Sequence, residues 1–301
     1  MMKIFSGSSN KPLAEKIAKY LNLKLSPMEV FIFPDGERRI RIIEKVVGVD
    51  TVLVQSTSSP TDENYMELFL TVDGLKRSGA KSVTAVVPYF GYQRQDHAFR
   101  EGEAVSAKVI AKILETVRIT KLIAVDFHSI KIKELFNIPV VHLSSVPLFA
   151  KVILEKGWDK NSTLISPDMG GIRRIKLVSE MLGNMPFAVI EKNRDLSTGS
   201  ISADKIQGEV KKNIIIVDDM ISSGGTIAIA AELLKRRGAE NIIVFATHPV
   251  FSKEAPKILE NSFVKSVYVA DTIFIPKEKR FPKLTILSIA EMIAEILMYP
   301  N

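Results

Sequence analysis

The sequence predicts an α/β protein made of two similar domains in tandem, each with a mostly parallel β-sheet flanked by helices. Three observations support this prediction: short apolar segments alternate with amphipathic ones, the apolar segments are continuous, and one segment pattern occurs twice. Continuous apolar strands are typical of parallel sheets that helices cover on both faces. A length of 301 residues also suits two domains better than one.

Apolar, β-branched runs mark the predicted strands, which are Thr51–Gln55, Ser82–Pro88, Lys121–Asp126, Thr163–Ser166, Phe187–Glu191, Asn213–Asp218, Asn241–His248 and Lys265–Val269. Amphipathic stretches between them mark the predicted helices, which are Glu63–Arg77, Ala104–Thr116, Gly170–Leu182 and Thr226–Arg237. Strands that alternate with helices in this way favour an α/β architecture.

A repeated segment indicates that the two domains arose by duplication. Leu75-Lys-Arg-Ser-Gly-Ala80 precedes one predicted strand and Leu234-Lys-Arg-Arg-Gly-Ala239 precedes another, while Pro12-Leu13 and Pro147-Leu148 form a second pair. The first pair could also be an ordinary helix end with basic residues and a glycine stop. Because both pairs occur in the same order, duplication is favoured. The predicted domains are residues 1–144 and 145–301.

Composition excludes several classes of protein. The chain has no cysteine, so it has no disulfide, no thiolate metal site and no cysteine nucleophile. No apolar run approaches the roughly 20 residues of a membrane span, and the first residues do not form a signal peptide. The formal charge of +7 suits phosphorylated ligands, and its dispersal along the chain argues against a nucleic-acid surface. We therefore expect a cytoplasmic protein that binds neither nucleic acid nor membranes.

The strongest motif follows a predicted buried strand in the second half. Asp218 and Asp219 end the strand, and the small residues Ser222, Ser223, Gly224, Gly225 and Thr226 lead into a helix. Glycine lets backbone N–H groups approach an anion, and a helix N-terminus adds positive potential. The two acids suit sugar hydroxyls or a metal ion. A capped turn with solvated acids is the structural alternative, but it needs neither the acid pair nor the two glycines.

This loop resembles the phosphoribosyl-binding loop of the type I phosphoribosyltransferases. Four further segments resemble one family among them, the ribose-phosphate diphosphokinases or phosphoribosyl diphosphate synthases, and the resemblance runs from Phe5-Ser-Gly-Ser-Ser to the final helix. It implies two phosphoribosyltransferase-like domains that transfer the diphosphoryl group of ATP to the anomeric hydroxyl of ribose 5-phosphate with Mg²⁺. It also implies a homo-oligomer built from dimers, with ATP sites shared between subunits.

The first of these segments, Phe31–Glu37, is by itself an ordinary Pro-Asp-Gly turn that carries an aromatic ring and two acids. The resemblance implies that this turn contacts adenine, and it assigns ATP binding to Phe33, Asp35, Gly36 and Glu37.

The second segment, Pro88–His97, follows a strand and mixes aromatic, cationic and amide groups, a composition typical of binding loops. A guanidinium such as that of Arg94 can fork onto phosphate oxygens. The resemblance implies that this loop lines the ATP site, with binding residues Arg94, Gln95, Asp96 and His97.

The third resemblance consists of two short segments, each at the end of a predicted strand: Asp126-Phe127-His128 and Ser166-Pro167-Asp168. The resemblance implies that His128 and Asp168 coordinate Mg²⁺, whereas the lone histidines His142 and His248 are expected to be structural. Gly170 and Gly171 open a helix and would bind the diphosphate through their N–H groups.

The fourth segment, Glu191-Lys192-Asn193-Arg194, precedes a hydrophilic stretch to about Gly208 that suits a lid over phosphates. Without the resemblance, an exposed basic loop is an equal alternative. With it, Lys192 and Arg194 are the expected catalytic residues, and Arg194 also belongs to the ribose 5-phosphate site.

The chain departs from the family pattern in four places. Ser222 stands where many members have aspartate, and Ser197-Thr198-Gly199 replaces the usual downstream asparagine. The stretch after His97 lacks the arginine-rich segment of the ADP-inhibited class, and the tail Met298-Tyr-Pro-Asn301 does not match that class either. We therefore expect little or no allosteric inhibition by ADP. A catalytically silent regulatory homologue and a phosphoribosyltransferase that uses the same sugar-phosphate loop are the alternative functions.

Overall fold

The computed structural model describes residues 2–194 and 201–299, and for residues 192–194 and 201–204 it describes the backbone only. The chain forms two compact units. Unit 1 contains the residues up to Leu143, Thr272–Phe274 and the residues from Ser288 onward. Unit 2 contains Ser144–Asp271 and Ile275–Leu287.

Unit 1 is built on a parallel sheet and a separate hairpin. Its strands are β1 (Met2–Ser6), β2 (Met28–Ile32), β3 (Arg38–Ile42), β4 (Asp50–Val54), β5 (Ser82–Val87), β6 (Lys121–Val125) and β7 (Val140–Leu143). The sheet has the order β1-β4-β5-β6-β7, and all neighbouring pairs are parallel. The strands β2 and β3 pair only with each other, in antiparallel register.

Three α-helices connect strands in the described part of unit 1: α1 (Lys11–Tyr20), α2 (Thr61–Arg77) and α3 (Ser106–Thr116), and a short 3₁₀ helix, Ile130–Leu135, lies between β6 and β7. The ends of α2 carry charges that complement the helix dipole, with Asp62 and Glu63 in the first turn and Lys76 and Arg77 in the last. The helix stops just before Gly79, whose φ of 86° is left-handed. The glycine stop in the repeated sequence segment thus has a conformational cause.

Unit 2 contains a mostly parallel sheet. Its strands are β8 (Ser162–Ser166), β9 (Phe187–Arg194), β10 (Ile201–Gln207), β11 (Asn213–Ile221), β12 (Asn241–Pro249), β13 (Ser266–Ala270) and β14 (Leu284–Leu287). They lie in the order β10-β9-β8-β11-β12-β13-β14. Only the β9–β10 pair is antiparallel.

The helices of unit 2 are α4 (Val146–Glu155), α5 (Ile172–Met181), α6 (Gly225–Arg236) and α7 (Ala255–Glu260). They cover both faces of the sheet. Ile214 and Ile216 of β11 pack into one hydrophobic cluster, and Ile215 and Val217 pack into another. A strand that is buried on both faces needs apolar residues at successive positions, which explains its continuous apolar run.

The two units repeat one topology. In unit 1 the sheet order β1-β4-β5-β6-β7 matches β8-β11-β12-β13-β14 in unit 2, and a strand pair lies in the sequence between the first two strands of each set. The predicted α/β class with mostly parallel sheets is confirmed. The second repeated pair that we took as a sign of duplication, Pro12-Leu13 and Pro147-Leu148, was a wrong match, because it equates α1 with α4. The strand order instead makes α5, which follows β8, the counterpart of α1.

The final helix α8 (Ala290–Met298) belongs to unit 1, where it packs against α1. The pair α4 and α5 packs in the same way within unit 2. In unit 1, α8 therefore takes the place that α4 has in unit 2: it is the helix that packs against the helix after the first strand of the sheet.

The hydrophilic stretch to about Gly208, which we expected to form a loop, contains strand β10 instead. This strand pairs with β9, and Ile206 packs against the hydrophobic core. Gly208 lies so close to β9 that a Cβ atom there would come within 2.6 Å of the Ala188 side chain. Sparse apolar residues and one glycine are enough to hold this strand at the sheet edge. Residues 197–199 lie outside the described part of the chain.

Among the residues that the structure describes, no helix combines the length and apolar character needed to cross a bilayer.

Candidate active site

Two adjacent carboxylates lie near the carboxyl end of β11. Asp218 and Asp219 are 9% and 6% exposed, and the Asp219 N–H donates to Asp218 Oδ1 at 2.8 Å. In open α/β sheets, ligands bind at this edge. The strand thus places two partly buried acids where a ligand can reach them.

The loop after these acids leads directly into α6. Gly224 has a φ of 79°, a left-handed conformation that favours glycine, and α6 begins at Gly225. Ser223 is exposed, and Ser222 Oγ lies 3.2 Å from Ser252 Oγ on the segment after β12. The loop therefore presents hydroxyl groups at a helix N-terminus, an arrangement that suits an anion.

Arg174, on the first turn of α5, reaches both carboxylates. Its Nη1 lies 3.5 Å from Asp218 Oδ1, and its Nη2 lies 3.9 Å from Asp219 Oδ2. Burial raises the pKa of Asp218 well above its ordinary value, the neighbouring Asp219 raises it further, and Arg174 opposes both effects. The guanidinium therefore helps to keep an unfavourable pair of charges in place.

The loop between β8 and α5 brings a third acid close to this pair. Asp168 Oδ1 accepts the N–H of Gly171 at 3.2 Å, and Ser166 Oγ donates to the Asp168 carbonyl at 2.7 Å. A Cβ atom at Gly171 would lie 2.3 Å from Ser166 Oγ, so any larger residue would force the Ser166 hydroxyl out of its hydrogen bond to the Asp168 carbonyl. The charge of Asp168 also raises the pKa of Asp218, so all three acids belong to one electrostatic cluster.

This cluster fits a hard divalent cation by its chemistry. Mg²⁺ is typically held by one or two carboxylates together with water and substrate phosphates. Within residues 2–194 and 201–299, no group of three or more side chains is arranged to hold a metal ion by itself. A magnesium site that consists of one or two of these carboxylates and the phosphates of a substrate is consistent with this chemistry.

In unit 1 the loop after β5 carries the predicted ATP residues. Arg94, Gln95 and His97 are exposed, and Gln95 Oε1 accepts a hydrogen bond from Ser106 Oγ at 2.8 Å. Partial burial raises the pKa of Asp96, but hydrogen bonds with His97 and Ser129 outweigh it, so this pKa is lowered overall. The Asp96–His97 contact is 2.7 Å long. The loop thus exposes Arg94, Gln95 and His97 to solvent, whereas the Asp96 side chain is only 10% exposed.

His128 follows β6 and lies next to the same loop. Its backbone N–H donates to Oε1 of the buried Gln93 at 3.0 Å, which ties the ends of β5 and β6 together. The Phe127 N–H donates to Nε2 of His142 at 2.9 Å. That bond gives His142 a structural partner, in agreement with the role expected from the sequence.

The turn Phe33–Glu37 joins β2 to β3. Its closing bonds run from Phe33 N to the Glu37 carbonyl at 2.8 Å and from Gly36 N to the Phe33 carbonyl at 2.9 Å. Gly36 has a φ of 94°. The ring of Phe33 is partly exposed, and the Arg39 guanidinium lies 5.7 Å from its centroid. An aromatic ring and two acids are therefore displayed at the tip of a hairpin.

The structure brings together two sets of predicted residues, each within its own unit. Unit 2 groups Asp168 with Asp218 and Asp219, and unit 1 joins the loop after β5 to His128. Lys192 and Arg194 lie at the end of β9, opposite Ala203 and Ile201, and their side chains are outside the described part of the structure.

Sequence reasoning missed Arg174 and Gln93. The signal for Arg174 was its place in the first helical turn after the two glycines, where a cation reaches the edge of the sheet. Gln93 carried no such signal, since an amide within a mixed polar loop does not reveal that it is buried.

Comparisons with known proteins agree with this arrangement. A family model for the N-terminal domain of ribose phosphate pyrophosphokinase matches residues 2–117, and a phosphoribosyl synthetase-associated domain matches residues 200–299. Ribose-phosphate pyrophosphokinase from Thermotoga maritima is 41% identical over 300 residues, which cover 99% of this chain and 94% of that protein. The corresponding protein from Fusobacterium nucleatum is 40% identical over 98% of this chain and 94% of its own length.

A solved structure is similar over the same length. The crystal structure of phosphoribosylpyrophosphate synthetase from Mycobacterium smegmatis has a TM-score of 0.93 and 36% identity, covering 99% of this chain and 97% of that one. The resemblance inferred from the sequence motifs is confirmed. The chain belongs to the ribose-phosphate pyrophosphokinase family.

Proposed function

We propose that this protein transfers the diphosphoryl group of ATP to the anomeric hydroxyl of ribose 5-phosphate, giving 5-phosphoribosyl 1-diphosphate and AMP. The observation that carries the proposal is the acid pair Asp218–Asp219 leading into the glycine-rich start of α6, in a chain that matches ribose-phosphate pyrophosphokinases along 99% of its length. The anomeric oxygen forms a bond to the β-phosphorus of ATP. At the same time, the bond between this phosphorus and the oxygen that bridges the α- and β-phosphates breaks. The hydroxyl proton is released, and AMP leaves.

Unit 2 binds the acceptor in this proposal. The carboxylates of Asp218 and Asp219 accept hydrogen bonds from the ribose hydroxyls, because an ionised carboxylate is an acceptor only. The 5-phosphate occupies the loop of Ser222, Ser223, Gly224, Gly225 and Thr226, where N–H and hydroxyl donors converge. Fixing the sugar in this way orients its anomeric oxygen for an in-line attack.

The diphosphate that is transferred lies against the loop between β8 and α5. Gly170 is exposed there and can present its N–H group, whereas the Gly171 N–H is bonded to Asp168 Oδ1, so a diphosphate would have to displace that carboxylate to reach it. Gly171 is buried and its Cβ position faces Ser166 Oγ, so glycine there keeps the loop compact next to the exposed Gly170.

ATP binds through residues of unit 1. In the loop after β5, Arg94 and His97 bind the phosphates, and Gln95 and Asp96 complete the site. The tip of the hairpin binds the adenine through Phe33, Asp35, Gly36 and Glu37. Aromatic stacking and acceptance from an exocyclic amine are the interactions that such a tip can make.

Magnesium is the proposed cofactor, and when bound it supplies positive charge at the phosphates during transfer. Asp168 suits this ion by its oxygen chemistry. The proposal of His128 as a second ligand rests on the family resemblance. Lys192 and Arg194 stabilise the charge that develops on the transferred group, in the manner of fixed cations in other phosphoryl transfers.

We further propose that the domain predicted as residues 1–144 binds ATP and the domain predicted as residues 145–301 binds ribose 5-phosphate, although Thr272–Phe274 and the residues from Ser288 onward pack with unit 1 rather than unit 2. The protein works in the cytoplasm as a homo-oligomer of dimers, with ATP sites shared between subunits. A phosphoribosyltransferase would use the same sugar-phosphate loop without ATP, and a silent regulatory homologue would bind without turnover. The full-length relatives, all named as pyrophosphokinases, favour the synthase over both alternatives.

A nucleotide assay tests the proposal. The protein is incubated with ATP and Mg²⁺, with or without ribose 5-phosphate, and the nucleotides are separated by chromatography. We expect AMP that depends on ribose 5-phosphate. ADP in place of AMP would indicate an ordinary kinase, and no turnover despite binding of both substrates would support the silent homologue.

A further inference from the structure

Arg38 is the first residue after the exposed turn of the hairpin, and it points the opposite way from that turn. Residues 31–37 are all exposed, whereas the Arg38 side chain is only 10% exposed. A guanidinium is seldom buried unless it has acidic partners. The local sequence therefore places a buried cation at the base of the tip to which we assign adenine binding.

Arg38 forms ion pairs with two acids of α2. Arg38 Nη2 lies 2.6 Å from Glu63 Oε2, and Arg38 Nε lies 3.8 Å from Glu67 Oε2. Glu63 is half exposed, but the Glu67 side chain is only 2% exposed. Arg38 Nε is itself buried and makes no hydrogen bond, so its favourable interaction in this place is the charge of Glu67.

Glu67 is held rigidly from its other side. Its Oε1 accepts the N–H of Ser8 at 2.6 Å, and its Oε2 accepts the Ser8 hydroxyl at 2.7 Å. Ser8 lies between β1 and α1, the counterpart of the loop between β8 and α5 in unit 2. In unit 1, the Glu67 carboxylate therefore occupies the loop between β1 and α1. The equivalent loop of unit 2 is the one to which we assign diphosphate binding.

We infer that Arg38 is a positioning residue, which orients the β2–β3 hairpin for ATP by bridging it to the fixed carboxylate of Glu67 and to Glu63. This inference rests on the proposed role of the hairpin tip in binding adenine. The hairpin pairs with no strand of the main sheet, so the packing of β3 against α2 and this ion bridge set the direction of the tip. Arg38 itself need not touch the nucleotide.

The matched comparison is Arg38→Met against Arg41→Met. Both arginines lie on β3 and both face a glutamate, but Arg41 is 71% exposed and its contact with Glu29 is 3.6 Å long. Exposed pairs of this kind contribute little. Methionine keeps the unbranched stem of arginine and removes only the charge and the hydrogen-bond donors.

Two measurements separate positioning from general stability. The first is the dissociation constant of ATP by titration calorimetry, together with KM and kcat for both substrates. For Arg38→Met we expect ATP binding to weaken at least about fivefold, roughly 1 kcal/mol by the usual conversion. The KM for ribose 5-phosphate should stay within about twofold, since that substrate is assigned to unit 2. Arg41→Met should match the wild type in every value.

The second measurement is hydrogen exchange at the turn. The N–H groups of Phe33 and Gly36 are bonded within the turn, and their exchange should accelerate in Arg38→Met and not in Arg41→Met. If Arg38→Met does not fold, Glu63→Gln removes the exposed end of the same bridge and should cause a smaller change in the same direction.

The outcomes separate this inference from the proposed function. Unchanged ATP affinity and unchanged exchange at the turn in Arg38→Met would overturn the positioning role, even if the wild type produces AMP. Weakened ATP binding with faster exchange would support it, even if no variant turns over. An equal loss of affinity for both substrates would also overturn it, because that result is a general structural effect.

Discussion

The guanidinium of Arg174 lies across two acids that are adjacent in sequence, 3.5 Å from Asp218 and 3.9 Å from Asp219. Burial raises the pKa of Asp218, the charge of Asp219 raises it further, and Arg174 acts against both. A single cation on α5 therefore supports the carboxylates to which we assign the ribose hydroxyls. Arg174 also comes within 3.9 Å of the Cβ position at Gly171, so it connects the two loops of unit 2.

Replacing Arg174 by methionine should weaken binding of ribose 5-phosphate. Without the guanidinium the acid pair holds a proton more readily, and a protonated carboxyl is a poorer acceptor for two sugar hydroxyls. We expect KM for ribose 5-phosphate to rise about tenfold, a change of roughly 1.4 kcal/mol. The control is Arg173→Met, since Arg173 is exposed. A KM equal to that of the control would mean that Arg174 does not support the acid pair.

Asp218 should make the stability of the ligand-free protein depend on pH. Its pKa is raised in the folded protein, so the folded state binds the proton more tightly than the unfolded state. This contribution to stability is complete below the unfolded pKa of about 3.9 and is lost as the pH rises through the raised pKa. The wild type should therefore lose stability relative to Asp218→Asn as the pH rises above the unfolded pKa of about 3.9.

Urea unfolding of both proteins as a function of pH checks the sign. Asp50→Asn gives the contrasting case, because a hydrogen bond from Ser82 lowers the pKa of Asp50. Its contribution is present above the unfolded pKa and lost as the pH falls. A difference between wild type and Asp218→Asn that does not change with pH would contradict the raised pKa.

Gly171→Ala should damage both stability and catalysis. The new methyl group would lie 2.3 Å from Ser166 Oγ, so that hydroxyl must turn away and lose its hydrogen bond to the Asp168 carbonyl, or the loop must move. Overpacking of this kind typically costs about 1–3 kcal/mol. Thermal unfolding measures the cost, and the double variant Ser166→Ala/Gly171→Ala should recover part of it because the clashing oxygen is gone. No recovery in the double variant would show that the clash is not the cause.

Lys192→Ala should lower kcat by at least ~10²–10³-fold with a modest change in KM, as expected for the loss of one charge that stabilises the transition state. Lys205→Ala is the control, since Lys205 is an exposed cation on the neighbouring strand β10. Steady-state kinetics with both substrates gives the comparison. An unchanged kcat would remove Lys192 from the mechanism.

ADP should inhibit this enzyme only by competition with ATP. The stretch after His97 contains a single arginine, Arg100, and lacks the arginine-rich segment of ADP-inhibited relatives. Initial rates at several ATP concentrations, with and without ADP, distinguish the two forms of inhibition. A lowered maximal rate at saturating ATP would show that an allosteric site is present after all.

The buried strands and the acid-rich loop were predictable because they depend on local chemistry. Four apolar residues of β11, from Ile214 to Val217, are followed by two acids, and a strand buried on both faces must be apolar until it reaches the sheet edge. The glycines at the start of α6 follow from the left-handed backbone at Gly224. Such signals lie within a few neighbouring residues.

The elements that were missed depend on pairing or packing with other elements, which local chemistry does not reveal. Strand β10 is held by pairing with β9, and α8 is placed by packing against α1, at the other end of the sequence. Likewise, Arg38 and Arg174 became visible only when their acidic partners on other elements were located. A charged residue in a mixed sequence carries no local sign of the carboxylate that it will face.

The central claim is diphosphoryl transfer to the anomeric oxygen, and ³¹P NMR of the complete reaction tests it most directly. Protein, ATP, Mg²⁺ and ribose 5-phosphate are mixed, and the spectrum is followed with time. We expect AMP and a new sugar-bound diphosphate to appear together in equal amounts. Signals of ADP with a singly phosphorylated anomeric position, or of free diphosphate with AMP, would contradict it.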